Sequence, residues 1–440
     1  MAVSITKKIL NLSVIGGGYV GLSTGIGLAL NGHRVTCIDC DRAVVSKINQ
    51  GIYPFFEASL AGLLKKCVNE RGSLKAAEEY SQVGHCDASF ICVGTFLQSE
   101  NKTDFSHIID AAIQIGHILR ETNTYHLVVV KSTVPPGTTE EVIIPALEKY
   151  SHKKAGQEFG VVANPEFLQE GSASQGFLAP DRIIIGEHDK KAGDTLQSLY
   201  DSSYSCPILR TSLRTAEMIK YASNAFLATK ITFINEIGNV CKKLGIDVYE
   251  VSKGMGYDPR IGQKFLNAGL GFGGSCLPKD LEELVFRAKQ IGYEAKLLSS
   301  VVRINSVQPL RLIEIAERRL GSLTNKEIAV LGLAFKPGTD DIRDTPALKI
   351  VARLIDKGAQ IRTYDPQAMP RAKLILPDEV KFCNSVPEAI ESVDCILIVT
   401  DWDEFKNEEL YQDKVVIDGR RTLDPNIASQ ICGHYEGVCW

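Results

Sequence analysis

The 440-residue chain has no basic run, and its net charge is only −4. Nucleic acid and anionic membrane surfaces are therefore not among its expected partners. No apolar stretch reaches the ~18 residues that a membrane span needs. The segment Met1 to Lys8 is too short and polar for a signal peptide. Metal-ligand spacing is missing as well, so no metal is expected. Cys37 and Cys40 form a C-x-x-C at a strand end, but no second pair matches it. Cys432 and Cys439 have no His or Cys partner at a ligating interval. The twelve cysteines are scattered, several of them in apolar runs such as those around Cys37, Cys92 and Cys395. That usage fits a reduced, cytoplasmic protein with buried thiols.

What is present is ordinary for a globular chain: 44% hydrophobic and 23% charged residues. The length exceeds what one core supports, so two or three domains are expected. Strand-like and helix-like segments alternate from residue 10 to about 205, which implies a doubly wound parallel α/β sheet. Leu213 to Leu244 then reads as one long helix without proline. A glycine-rich loop and a further helix follow it. From Lys326 the α/β alternation restarts as a second, smaller sheet, with no visible sequence repeat of the first. The expected domains are 1–205, 206–320 and 321–440, and the long helix is a candidate dimer seam.

The chemistry concentrates in Gly271-Phe272-Gly273-Gly274-Ser275-Cys276-Leu277-Pro278-Lys279-Asp280. Leu281, Leu284, Val285 and Ala288 recur at helical spacing after it. Cys276 is thus placed just before a helix N-terminus with Lys279 close by, and both favour a nucleophilic thiolate. A lone cysteine in a tight turn would more often be structural. Gly16-Gly17-Gly18-Tyr19-Val20-Gly21 follows a strand and opens a helix, and the next strand ends at Asp39. Together these form a dinucleotide fingerprint: a pyrophosphate at the helix start and ribose hydroxyls on Asp39. The acid favours NAD over NADP, although Arg42 lies nearby.

Four further stretches follow strands or share a helix face. Thr133, in Lys131-Ser132-Thr133-Val134-Pro135-Pro136-Gly137, offers a hydroxyl at the strand edge where α/β sheets bind ligands, or else an N-cap. Glu166 and Glu170 are four residues apart and would share a helix face as base and orienter, or as a solvated pair. Lys220 and Asn224 share a face of the long helix with Glu217. They suit a developing oxyanion, or are a surface Lys and a helix-packing Asn. In the last lobe, Lys336 and Arg343 stand where a second nucleotide's phosphates would lie.

These motifs, in this order and over nearly the whole chain, resemble the UDP-glucose/GDP-mannose dehydrogenase family. The resemblance implies two Rossmann-like domains joined by a helical one, NAD as cofactor and a nucleotide sugar as substrate. It implies a four-electron oxidation through a Cys276 thiohemiacetal and thioester, converting UDP-glucose to UDP-glucuronate in one branch. GDP-mannose or a UDP-N-acetylhexosamine is the substrate in others. By position, Lys220 and Asn224 stabilise the oxyanion and Lys220 aids deprotonation of the alcohol. Glu166, Thr133 and Asp280 handle water and protons. The cofactor falls to Gly16, Gly18, Tyr19, Val20, Gly21, Asp39, Arg42, Thr95, Thr133, Glu170, Lys279 and Arg343. The sugar nucleotide falls to Glu166, Phe167, Leu168, Glu170, Phe265, Gly273, Phe335 and Lys336, with Lys220 and Asn224. Arg260, in Asp258-Pro259-Arg260-Ile261-Gly262, matches a residue that the family can lend to a neighbouring subunit, which implies a homodimer or larger assembly. Ser275 fits the UDP-glucose and GDP-mannose branches, since relatives acting on N-acetylated sugars usually carry His there. Gly171-Ser172-Ala173 and Pro180-Asp181-Arg182 look like the UDP-glucose members. Outside the family, the alternatives are a two-electron dehydrogenase with a structural Cys276, or a non-catalytic NAD-binding regulator.

Overall fold

A computed structural model describes residues 8–97, 103–171 and 173–440. Ser172, of the Gly171-Ser172-Ala173 comparison, and Met1 to Lys7 lie outside the described residues. The chain forms two compact units, one up to Ala222 and one over Ser223–Trp440.

The first unit is built on an eight-stranded sheet. Its strands are β1 (Asn11–Ile15), β2 (Arg34–Ile38), β3 (Leu74–Ala77), β4 (Ala88–Ile91), β5 (His126–Val130), β6 (Phe159–Ala163), β7 (Ile183–Glu187) and β8 (Ile208–Ser212). Their spatial order is β3-β2-β1-β4-β5-β6-β7-β8. The first six run parallel, in the doubly wound order that reverses between β1 and β4. The expectation of a wholly parallel sheet needs one correction: β7 pairs antiparallel to β6, and β8 follows β7 in parallel. Apolar runs such as Leu127-Val128-Val129-Val130 are buried throughout, because both faces of the sheet are covered. Helix α1 (Tyr19–Leu30) follows β1 directly.

One helix, α2 (Leu213–Leu244), matches the long helical pattern residue for residue. The second unit contains α3 (Val248–Gly256), α4 (Leu277–Gln290), α5 (Lys296–Val307) and α6 (Leu310–Leu320). It also contains a six-stranded, all-parallel sheet. The strands are β9 (Glu327–Leu331), β10 (Gln360–Tyr364), β11 (Lys381–Phe382), β12 (Cys395–Ile398), β13 (Val415–Asp418) and β14 (His434–Gly437), in the order β11-β10-β9-β12-β13-β14. This sheet too reverses beside its first strand, so each unit has a ligand-accepting strand edge of the same kind. Among the described residues no helix is long and apolar enough to cross a membrane, no His/Cys/Asp/Glu group is placed to hold a metal ion, and all twelve cysteines are free.

Candidate active site

In the first unit, the turn after β1 is shaped by its glycines. Gly16 has φ +101° and donates to the Ile38 carbonyl at 2.8 Å. A Cβ at Gly21 would lie 1.8 Å from the Gly16 carbonyl oxygen, so only glycine lets α1 start so close to the strand. At Gly18 the space is open, and this N-cap residue makes no side-chain cap to α1. The free amides at that helix start form an anion cradle. β2 stops at Ile38, one residue short of the expected end, and Asp39 just past it accepts from the Gly17 amide at 2.6 Å and the Asp41 amide at 2.9 Å. The cradle and the acid fit a dinucleotide's pyrophosphate and ribose. Arg42 points away from that role: it is exposed and pairs with Glu78 at 2.9 Å. Val20 is half-buried in the first turn of α1. Tyr19 sends its hydroxyl to Glu57 at 3.0 Å and lies 2.9 Å from the Gln169 carbonyl. Burial, with the Glu57 and Glu170 carboxylates near, pushes that phenol far above its ordinary range.

The turns after β4, β5 and β6 meet at the same edge. Thr95 Oγ1 donates to the Thr133 carbonyl at 3.0 Å. Thr133 does not cap a helix. The amides of Gly137 and Thr139 are capped instead by the Glu217 carboxylate, at 2.6 and 2.9 Å. Glu217 is thereby committed to structure and does not join Lys220 at the site.

Glu166 and Glu170 do not share a helix face, because residues 164–169 are not helical. Pro165 holds Asn164 in extended backbone, and the Glu166 Oε2 takes the Leu168 amide two residues on, closing a turn in place of a helix. Glu166 Oε1 accepts from Lys220 Nζ at 3.0 Å, and both side chains are nearly inaccessible (8% and 5%). Burial pushes the Glu166 carboxyl up, but Lys220, the Leu168 amide and Lys131 outweigh it and hold it below the ordinary range. Phe167 lies between two cations, with Arg182 4.0 Å and Lys220 5.4 Å from its ring centre. Glu170 is half-buried, near Tyr19.

In the second unit the cysteine loop is clamped from three sides. Asn305 bonds the Phe272 amide at 2.9 Å and its carbonyl at 3.0 Å. Arg420 donates to the Gly271 carbonyl at 3.0 Å, and the Gly274 amide donates to the Arg343 carbonyl at 3.0 Å. A Cβ at Gly273 would stand 2.4 Å from the Asp344 carbonyl oxygen. The loop delivers Cys276 to the N-cap of α4, exposed, with Sγ 3.6 Å from Ser275 Oγ. A helix start favours the thiolate there. Lys279 is paired with a carboxylate. Its Nζ sits 2.7 Å from Asp280 Oδ1, while Asn224 Nδ2 donates to Asp280 Oδ2 at 2.6 Å. Asp280 is fully buried between them.

The remaining residues lie on the edge of the second sheet or on the surface. Phe335 and Lys336 follow β9, with the Lys336 ammonium 5.5 Å from the Phe335 ring centre. Arg343 forms a bidentate pair with Asp341, the closest contact being 2.7 Å. Phe265 is held at φ +65°, an unusual value for a bulky residue and one that marks functional loops. Arg260 is exposed and pairs with Asp258 at 2.6 Å. Sequence reasoning did not single out Asn305, Arg420 or Glu57. Asn305 and Glu57 belong to no local motif, but Arg420 follows a strand end, and the strand-edge rule that drew attention to Lys336 would have reached it.

Three profiles of one family match the chain. The NAD binding domain of the UDP-glucose/GDP-mannose dehydrogenase family covers residues 10–203, its central domain 214–307 and its UDP binding domain 329–425. The UDP-glucose 6-dehydrogenase YwqF of Bacillus subtilis is 43% identical over 432 residues, covering 96% of each chain. The solved UDP-glucose dehydrogenase of Pyrobaculum islandicum superposes with a TM-score of 0.94 at 39% identity, over 100% of this chain and 99% of its own. The UDP-D-ManNAc dehydrogenase of Pyrococcus horikoshii gives 0.86 at 31%, over 98% and 99%.

Proposed function

Since this chain belongs to the UDP-glucose/GDP-mannose dehydrogenase family, we propose that it oxidises UDP-glucose to UDP-glucuronate in two NAD-dependent steps on Cys276. The observation that carries the reading is the pair of buried polar clusters. Lys220 is bound to Glu166 in one unit. Asn224, Asp280 and Lys279 stand at the start of the helix that Cys276 caps in the other. Buried charge of this kind is costly and is commonly kept for chemistry. The division into residues 1–205, 206–320 and 321–440 belongs to the same proposal, and the limits of the three profiles support it.

Gly16, Gly18, Gly21 and Asp39 hold the dinucleotide, and the carboxylate of Asp39 disfavours a 2′-phosphate. The nicotinamide, when bound, accepts a hydride in each oxidation. Lys220 steadies the alkoxide as the primary alcohol loses its proton, and loss of the first hydride from its carbon gives an aldehyde. The Cys276 thiolate adds to that carbon, forming a C–S bond and an oxyanion beside Lys220 and Asn224. Loss of the second hydride gives a thioester. Water then adds, the C–S bond breaks, and the carboxylate and thiol are released. In this reading Glu166, Thr133 and Asp280 move the protons of water. Lys336, Phe335, Phe265 and Gly273 hold the sugar nucleotide, and Arg343 the cofactor.

The chain also assembles as a homodimer or larger oligomer in this reading. Phe226, Phe233 and Val240 recur every seven residues on α2 with exposures of 65%, 45% and 50%. A stripe of that kind suits a partner helix. Arg260, exposed, is available to a neighbouring subunit's site.

The test is NADH formed per UDP-glucose, with the product identified. Two NADH and UDP-glucuronate are expected, and Cys276→Ser is expected to lose uronate while still binding both ligands. One NADH with released aldehyde, or unchanged turnover in Cys276→Ser, overturns the cysteine mechanism. Two NADH with GDP-mannose or an N-acetylated sugar nucleotide instead keeps the mechanism and moves the substrate.

A further inference from the structure

Lys131 directly follows β5 and is buried, with only 9% of its surface exposed. A buried ammonium carries three N–H donors and needs acceptors. Among the described residues its one hydrogen bond goes to Asn164 Oδ1, at 3.0 Å. Asn164 is itself fixed from two other elements. It accepts from Tyr200 at 2.6 Å and donates to the Ile184 carbonyl at 2.7 Å, while its amide donates to Val130 at 2.8 Å. Two residues on stands Glu166, already paired with Lys220. The groups that act on the Lys131 charge are Cys92 after β4, Glu166 after β6 and Lys220 on α2. Burial and Lys220 pull its pKa down to about 8, against Cys92 and Glu166, so it remains an ammonium at neutral pH. A single carboxylate thus lies among two buried ammonium groups, an arrangement that costs solvation and serves no packing need.

We infer that Lys131 is a positioning residue for the oxidation: it locks the turn that carries Glu166 through Asn164 and supplies a second positive charge that keeps Glu166 ionised, so that Glu166 orients Lys220. This deepens the proposed function and rests on its assignment of Lys220 and Glu166. Lys220 then has a fixed, charged partner throughout turnover. Its ammonium is not free to rotate away from the reacting carbon.

The experiment compares Lys131→Met, which removes bond and charge, with Lys131→Gln, which keeps a donor without the charge, and Lys131→Arg, which keeps the charge. Steady-state rates with UDP-glucose, cofactor affinity by NADH fluorescence and thermal melting are measured for each. Lys131→Met is expected to lower kcat roughly 10- to 100-fold, as a small misplacement near the reacting groups does. KM, NAD affinity and melting temperature are expected to stay close to wild type. The acid limb of the rate profile should move to higher pH by about one unit in both neutral variants, because Glu166 loses a nearby cation. Lys131→Arg should restore the limb. In a Glu166→Gln background, Lys131→Met should cause no further loss. An unmoved acid limb, or losses that multiply in that background, overturns the inference and leaves Lys131 as a structural lysine. If Lys131→Met does not fold, Lys131→Gln and Lys131→Arg decide the point alone. If Lys220→Ala and Glu166→Gln both turn over UDP-glucose at the wild-type rate, the functional reading itself fails, whatever Lys131 does.

Discussion

Replacing Lys220 by Met separates what the buried pair does for stability from what it does for turnover. Lys220 Nζ and Glu166 Oε1 are 3.0 Å apart and almost fully enclosed. Removing one partner of such a pair costs about 3 to 5 kcal/mol, chiefly because the other charge is left buried. Here the Leu168 amide and Lys131 still face Glu166, so the lower figure of about 3 kcal/mol applies. For a unit of this size that lowers the melting temperature by about 6 to 12 °C. Turnover should fall about 100- to 1000-fold, the usual effect of losing one oxyanion donor. The double variant Lys220→Met/Glu166→Gln has no unpaired charge and should regain about half or more of the stability, with turnover still lost. The pH dependence has a definite sign. In Lys220→Met, burial raises the folded-state carboxyl of Glu166 above its unfolded value, so the deficit relative to wild type is full near neutrality and shrinks as pH falls towards about 5. Calorimetry at two pH values and a rate assay measure all of this. If the double variant is no more stable than the single one, or if it regains turnover, the reasoning fails.

Three further outcomes follow from the same structure. Gly273→Ala places a Cβ against the Asp344 carbonyl oxygen, at 2.4 Å. It should cost about 1 to 3 kcal/mol and displace the Cys276 loop, so uronate formation drops with NAD affinity kept; wild-type melting and turnover would count against the clamp. His126 is buried, and burial pushes its pKa down to about 4. Nδ1 donates to the Cys86 carbonyl at 2.9 Å and Nε2 accepts from Ser89 at 2.9 Å. Because the folded pKa lies below the unfolded one, about 3 kcal/mol of stability should be present above pH ~6.5 and lost on the way to pH ~4. Equilibrium unfolding across that window should show a shallower slope in His126→Gln, and an equal slope would contradict the assignment. Phe226→Asp with Phe233→Asp should weaken self-association at least roughly 1000-fold, given about 2 kcal/mol per buried ring and two copies of each; sedimentation showing an intact oligomer would remove α2 as the seam.

Much of this protein was legible because its signals are local. The turn after β1 declares itself through glycine spacing, since only glycine permits φ +101° at Gly16 and the contact at Gly21. The 32-residue α2 declares itself through unbroken helical periodicity. Cys276 before Leu277-Pro278 reads as a helix start from the chain alone, and the helix begins at Leu277. Strand ends fixed where Thr133 and Glu166 would fall in the first sheet and Lys336 in the second, because parallel strands bring their C-terminal turns to one edge of their own sheet.

Tertiary structure decided the partners. Glu166 and Glu170 suit one helix face on paper, but a side-chain-to-amide bond from Leu168 to Glu166 ties the segment into a turn. Glu166 finds Lys220 instead, 54 residues away. Lys279 looked like the thiolate's cation, yet it pairs with Asp280, which also holds Asn224 across 56 residues. Glu217 lies on the Lys220 face of α2, but the bare amides of Gly137 and Thr139 claim it. The antiparallel turn at β7 likewise leaves no mark in a run of isoleucines, because strand direction is set by the path of the connection and not by the side chains. Sequence names the groups able to do chemistry; a buried charge takes whichever partner the fold brings within about 3 Å, since leaving it unpaired costs more than any local preference supplies.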